Sequence, residues 1–419
     1  MSPLLPLFLL LLTGPVVCHE NCSHMAIINH LGLTSQKDLF TLGRPVKNIT
    51  SVLIVQIDFR LEAILDVREI EQTFISYNSI DIAWTNDHIS WKKKDFCQVE
   101  RITIPSELLW KPDFRILEVV DKDKTPSSPY LVVRNNGDVT MKNDQVVMST
   151  CKMNVFKFPF DTQSCNLSIK SFIHSIDEIE IENIGSDETV RDSIEEAMHT
   201  QYEWLFQEIK ITHTWSKAME KNQSMIVYTL SMRRRSILYV VNFILPVLFF
   251  LVLDFASFLM SALNSDKLGF KITILLAVTV LQLLLNEILP SSSDRIPLIA
   301  IFCIGVFWLM KLSLLETIVI MYLLRQDEKR LKTGEKTGVE NVLCCVSAQH
   351  LAKEASTPVD RGSDVDRLAQ ELSESVGGGS EQETGYWASR IDRINRVFLL
   401  VYSVLTALFL ITIFLIWLH

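Results

Sequence analysis

Beginning at Asp266, the residues Gly269, Thr273, Leu276, Val280, Leu284 and Glu287 recur at steps of three and four, the spacing that stacks side chains on one face of an α-helix. The face starts and ends in a carboxylate. Between the carboxylates lie a glycine, a hydroxyl and three aliphatic side chains, an order of chemistries that suits an ion path better than a lipid contact. Several copies of this helix around one axis would place acidic rings at both mouths, where cations gather and anions are repelled. Gly269 and Thr273 would leave room and hydroxyls for a partly hydrated ion, and Leu276 with Val280 would close the path by dewetting. Periodicity alone is equally served by a buried span with charged flanks. Lys267 and Lys271 fall off this face, toward neighbouring helices or the interface, where long cationic stems snorkel.

Such a helix needs a membrane and neighbours. The chain has 419 residues, 48% of them hydrophobic, high for a water-soluble protein. Uncharged runs occur at Ile237 to Leu253, which contains Pro246, at Ile272 to Asn286 and at Val397 to Leu418; a further run, Ile296 to Leu324, is interrupted by Lys311 and Glu316. These four runs are read as the cores of spanning helices. Arg325, Lys329, Arg330, Lys332 and Lys336 follow the third run, and Arg390, Arg393 and Arg396 precede the fourth, so the segment between them is expected to be cytoplasmic and both termini extracellular. Arg233, Arg234 and Arg235 oppose that charge rule and are expected to have a partner within the protein. Residues 236–324 are thus read as three spans with the pore helix at 267–288, residues 325–394 as a polar, partly disordered cytoplasmic loop with GEKTG and VGGGSEQETG as flexible pieces, and 395–419 as the fourth span. Within the loop, Val365, Leu368, Leu372 and Val376 are spaced for one face of a short helix or belong to a disordered stretch.

The front of the chain has different chemistry. Residues 1–18 form a short apolar run read as a secretory signal. Behind it, Cys22, Cys97, Cys151 and Cys165 are placed to pair in an oxidising compartment. The sequons at Asn21, Asn48, Asn166 and Asn222 agree with that side, and the last three are expected to carry glycans. From about residue 26 to 235, short alternating runs such as SVLIVQIDFRLEAILDV, with a hairpin turn at Asn135, Asn136 and Gly137, predict an all-β sandwich. The net charge of −9 disfavours nucleic acid as a partner. No nucleophile, phosphate-loop or zinc-protease motif is present, so no enzyme is expected. His19, Cys22 and His24 are metal-ligand types in a compact set, but no fourth ligand is visible, and neither metal nor cofactor is expected.

The run CKMNVFKFPFDTQSC from Cys151 to Cys165, with a β domain before it and four spans after it, resembles the Cys-loop pentameric ligand-gated ion channels. Trp110-Lys111-Pro112-Asp113 is similar to the WxPD segment of that family, Arg233 to Arg235 to the basic end of its last extracellular strand, and Pro246 to its first-helix proline. Gly269 to Leu276, Leu289 to Ile299 and Ser313 to Ile318 look most like the serotonin type 3 receptors, and also like the zinc-activated cation channel. The resemblance implies an extracellular ligand-binding β-sandwich, an α-helical four-transmembrane bundle and a pentameric channel. It implies a Cys151–Cys165 bridge, worth roughly 3 kcal/mol by chain entropy. It further implies that Phe158, Pro159, Phe160 and Asp161 rest near the linker ending at Pro297, with Asp161 and the cluster around Arg233 as a charge contact that couples ligand binding to the pore.

Selectivity and ligand follow from the same likeness. Ser265-Asp266-Lys267-Leu268 lacks the Pro-Ala insertion of the family's anion channels, which implies permeant monovalent cations. Glu118 and Phe172 are the ligand-binding candidates, the latter standing where the family has a tryptophan that boxes an ammonium group. The complementary strand shows Ser79 and Asp81 in place of a tryptophan and an arginine, and the loop before the last strand holds Asn222 in place of tyrosines. Serotonin or another amine, zinc or protons are the expected small ligands, acting on a homopentamer or heteropentamer. The alternatives are a zinc- or proton-activated channel of the same family and an accessory subunit that binds no ligand. The expected location is the plasma membrane, as a multi-pass protein, with a postsynaptic site in view. Trp84-Thr85-Asn86 departs from the family's W-x-D, a change read as local packing, and Lys311 has no partner legible in sequence.

Overall fold

The computed structural model describes residues 22–122, 128–198, 203–218, 221–260, 266–289, 295–353 and 386–418. The expected signal segment, His19 and Asn21 lie outside the described residues, as do Val365, Leu368, Leu372 and Val376. The chain packs as two units, one made of residues up to Ser236 with Ile288–Arg295, the other of Ile237–Glu287 with residues from Ile296 on.

In the first unit, alternation of side chains produces strands. Along β1 (Leu53–Arg68), Leu53, Val55, Ile57, Phe59 and Leu61 are buried on one side, as a period of two requires for a strand with one face in a core. The remaining strands are β2 (Thr73–Thr85), β3 (Arg101–Pro105), β4 (Phe114–Ile116), β5 (Val119–Lys122), β6 (Tyr130–Arg134), β7 (Asp138–Thr150), β8 (Thr162–Ser171), β9 (Ile179–Asn183), β10 (Trp204–Ala218) and β11 (Lys221–Arg234). The larger sheet runs β3, β6, β7, β2, β1, β9, with β5 also paired to β7; the smaller runs β10, β11, β8, β4. Phe59 of β1 stacks on Tyr228 of β11 with centroids 4.5 Å apart, which joins the two inner faces into one core. This is the expected sandwich.

The hairpin between β6 and β7 turns at Gly137, whose φ of +96° and close neighbours, Asn86 O at 2.6 Å and Ile89 O at 2.7 Å from a built Cβ, exclude any side chain. Asn86, in the segment just after β2, donates its backbone N–H to Gly137 O at 2.8 Å and accepts from His88 N on its side chain at 2.9 Å. Among the described residues, α-helices α1 (His24–Leu31), α2 (Lys37–Thr41) and α3 (Asp187–Ala197) accompany the strands. The last has a signal the strand reading passed over: Ser186 and Thr189 form a capping box, and Val190 and Ile194, four apart, are its buried pair.

The second unit is helical: α4 (Ile237–Ser257), α5 (Asp266–Ile288), α6 (Leu298–Lys353) and α7 (Tyr386–Leu418), each with a stretch long and apolar enough to cross a membrane. The first of these widens into a π-turn at Val240–Ile244 just ahead of Pro246, where the proline lacks the N–H that would close an ordinary turn. The expected flexible loop after residue 325 is corrected in part: α6 continues to Lys353, and α7 begins at Tyr386. The composition of that continuation, rich in Glu, Lys, Arg and Leu, favours helix in sequence terms.

Candidate functional site

The inward face of β11 carries the even-numbered residues Ile226, Tyr228, Leu230 and Met232, and the same alternation carries Arg234 inward and leaves Arg233 exposed. The arginine that meets Asp161 is therefore Arg234 and not the expected Arg233, which faces outward. Its side chain is 0% exposed and meets three carboxylates: Nε donates to Asp161 at 2.9 Å, Nη1 to Glu203 at 2.8 Å, and Nη2 to Glu69. The guanidinium also lies 4.2 Å from the Trp204 ring and 4.8 Å from the Phe158 ring. Burial pulls the Arg234 pKa down, but the charges and hydrogen bonds of Asp161 and Glu69 outweigh it and leave it raised. The carboxylates come from the β1–β2 turn, the bridged loop and the segment before β10, so one side chain pins three parts of the chain.

The Cys151–Cys165 bridge is formed, and so is Cys22–Cys97, which removes Cys22 from any metal set. Among the described residues no cluster of metal-ligand types occurs. Within the bridged loop, Phe158 and Asp161 turn inward to Arg234, Pro159 is buried and Phe160 is half-buried. Phe156 is the aromatic that meets the linker residue Arg295, its ring 5.8 Å from the guanidinium, a contact the reading of Phe158 to Asp161 missed. Gln163 braces the loop by exchanging hydrogen bonds with the Asn154 backbone at 2.8 and 3.0 Å. Pro297 lies in the other unit, where its carbonyl accepts from Ala300 and Ile301 at the start of α6.

Phe172 is 57% exposed at the end of β8. Asp113 of the WKPD run explains its position, accepting from Ser171 Oγ at 2.7 Å, Phe172 N at 3.0 Å and Ile173 N at 2.8 Å. Glu118 is drawn into the fold: its carboxylate accepts from Ser168 N at 2.7 Å and Ser168 Oγ at 2.6 Å. The face of Phe172 is covered by Arg115, whose guanidinium carbon is 3.8 Å from the ring centroid. On the opposite sheet Asp81 pairs with Arg60 at 3.4 Å and Lys142 at 3.6 Å, and Arg60 also reaches Ser79 at 3.3 Å.

In α5 every residue of the predicted pore face, Asp266, Gly269, Thr273, Leu276, Val280, Leu284 and Glu287, is exposed in the protomer, while Lys267, Lys271, Ile274, Val278 and Leu285 are buried against the bundle. The Thr273 hydroxyl donates to Gly269 O at 2.9 Å. Of the two directions left open for the lysines, the structure shows the one toward neighbouring helices, and both are buried: Lys271 Nζ donates to the Ser313 hydroxyl and, at 3.1 Å, to its carbonyl, and lies 3.9 Å from Asp254 Oδ1. Asp254 also accepts from Ser313 Oγ at 3.0 Å and Tyr402 OH at 2.7 Å. The Phe258 ring lies 4.2 Å from the Lys271 ammonium and 5.5 Å from that of Lys267. Asp254 and Tyr402 were missed, although a carboxylate just past an apolar run is itself a signal for a buried partner. Lys311, unexplained in sequence, sits 4.8 Å from the Trp308 ring and 5.6 Å from that of Phe307.

With that geometry described, comparison with known proteins is direct. Residues 34–236 match the neurotransmitter-gated ion-channel ligand binding domain, and residues 243–371 match the neurotransmitter-gated ion-channel transmembrane region. The chain belongs to the neurotransmitter-gated ion-channel family. Among its relatives, 5-hydroxytryptamine receptor 3A of Rattus norvegicus is 33% identical over 68% of this chain and 60% of the relative. 5-hydroxytryptamine receptor 3E of Homo sapiens is 34% identical over 67% and 61%, and neuronal acetylcholine receptor subunit alpha-9 of Rattus norvegicus is 30% identical over 68% and 59%. The chain thus spans about three fifths of the length of the relatives it matches. This family consists of ion channels rather than enzymes, which agrees with the missing catalytic motifs.

Proposed function

We propose that this chain is a subunit of a pentameric, cation-selective channel of the plasma membrane, opened by a small extracellular ligand that binds the β-sandwich. The observation that carries the reading is the row of α5 residues that is exposed in the protomer, bounded by Asp266 and Glu287. A Cβ built on Gly269 meets nothing within 4 Å, so the same face has room for an ion path around a shared axis. Leu276 and Val280, 64% and 49% exposed, are the apolar rings of the gate. Motion of the sandwich reaches the pore through the bridged loop, with Asp161 and Arg234 as its rigid base and Phe156 against Arg295. Asn48, Asn166 and Asn222 are exposed and fit glycan attachment on an extracellular surface.

The test is voltage clamp of cells expressing the full chain, with sodium replaced by an impermeant cation. Asp266→Lys and Glu287→Lys are expected to move the reversal potential toward that of chloride, and Leu276→Thr to raise resting current by wetting the gate. Unchanged reversal potentials in both charge variants would remove the pore assignment.

A further inference from the structure

We infer that the outer face of the smaller sheet, at Phe172, binds a small carboxylate rather than an amine, with Arg115 as the residue that decides. The inference rests on the reading of Phe172 as part of the ligand site. An ammonium group binds an aromatic ring by lying over its face. On Phe172 one face is taken by Arg115, in van der Waals contact at 3.8 Å, so an ammonium over the other face would still meet a ring already paired with a cation. On the covered face an incoming amine would have to displace a guanidinium and then sit beside it.

The neighbours of Arg115 extend the argument. It is in register with Lys170 on β8, which is in register with Met225 on β11, which faces Thr214 on β10. A row of that kind places its side chains on one face of the sheet, here the face turned away from the buried Ile169 and Ile226. Two like charges directly opposite on adjacent strands disfavour the fold unless something negative lies between them. Glu118 and Asp113 do not supply it, since their oxygens are engaged by Ser168 and by the Ser171 to Ile173 turn. Among the described residues, Lys170 reaches a hydroxyl, Ser216 Oγ at 3.4 Å. Arg115, Lys170, Thr214 and Ser216 together present two cations and two hydroxyls to one space, with Met225 beside them and Phe172 at its end. A planar carboxylate matches the guanidinium fork, and an apolar tail would rest on Met225.

The experiment uses the purified full chain in detergent, with succinate and benzoate as anionic probes and choline and serotonin as amine probes, read by melting temperature and, in oocytes, by current. Wild type is expected to be stabilised by at least one carboxylate and by neither amine. Arg115→Gln and, separately, Lys170→Gln should weaken the carboxylate by at least about tenfold, the loss of one charged hydrogen bond. Arg115→Gln should in addition admit choline. Arg115 is exposed, so the unliganded variant should melt near wild type. Stabilisation or opening of wild type by an amine, with potency unchanged in Arg115→Gln, overturns the inference, as does the absence of any carboxylate shift. A chain that binds succinate but carries no cation current even as Leu276→Thr sinks the channel reading and leaves this one standing; a chain opened by choline does the reverse.

Discussion

Among the described residues, two buried charge centres are built on different plans. In the first unit a single guanidinium, Arg234, is surrounded by Asp161, Glu203 and Glu69 and sandwiched near two aromatic rings. In the second, Asp254, Lys271, Ser313 and Tyr402 contribute one residue from each of the four helices, and hydroxyls carry most of the bonds. The acidic excess around Arg234 is tolerable because its partners Glu69 and Glu203 reach toward solvent, with side chains 15% and 47% exposed. The membrane bundle has no such outlet, so its charges are near balance and polar hydroxyls spread what remains. Even so, Glu316 Oε1 is buried there with no hydrogen-bond partner among the described residues. A soluble unit can satisfy one charge with several, whereas a helix bundle in lipid must satisfy them one for one.

Breaking the first centre should have the largest effect. Arg234→Gln leaves Asp161 buried without its counter-ion and is expected to cost about 3–5 kcal/mol, seen as loss of surface protein by biotinylation. Arg234→Lys should not restore it, because an ammonium cannot donate in three directions from one plane. Arg233→Gln, two strand faces of one motif compared, should stay within about 0.5 kcal/mol; equal losses in Arg233→Gln and Arg234→Gln would dissolve the distinction between them. Cys151→Ser opens the loop that carries Asp161 and should lose roughly 3 kcal/mol, read by thermal melting of the purified chain.

The second centre should respond less to a single change and more to a compensated one. Tyr402→Phe removes one hydrogen bond to a carboxylate, about 1.5–3 kcal/mol. Asp254→Asn and Lys271→Met are each expected to destabilise more than the pair of changes together, a coupling that a double-mutant cycle on melting temperature measures. Strict additivity would mean the two groups do not interact.

The smallest effect is a pH dependence outside both centres. Burial raises the Asp58 carboxyl above its ordinary value; Arg60 pulls it back down and Asp81, opposite it in register, pushes it further up. The folded chain therefore keeps this proton to a higher pH than the unfolded chain. Its contribution to stability is greatest below the ordinary value and is lost as pH rises through the raised one. Asp58→Asn should flatten the melting temperature against pH across that window and leave the rest of the profile unchanged; an unaltered profile would show that Asp58 is not the group responsible.

Much of this was legible from local spacing. The steps of three and four from Asp266 to Glu287 specified a helix face, and that whole face is exposed in the protomer. Alternation specified strands such as β1, and Gly137 its turn. The same rule of alternation selects Arg234 over Arg233, a step that needed the strand's phase and not merely its existence. Spacing left Lys271 a choice between a neighbouring helix and the interface; its partners, Asp254 and Ser313, lie on other helices and so could not be read from its own span.

By itself, then, the sequence determined the spans, the strands, the exposed face of α5 and the aromatic loop between Cys151 and Cys165, because each is a property of backbone geometry over a few residues. Only the tertiary structure decided that Tyr402 bonds Asp254, that Glu69 and Glu203 reach Arg234, and that Arg115 lies on Phe172. Those pairings join residues up to 165 positions apart in the chain. Period and propensity carry no information across such a distance; it is the closing of the sandwich and the packing of the bundle that bring the partners within bonding range.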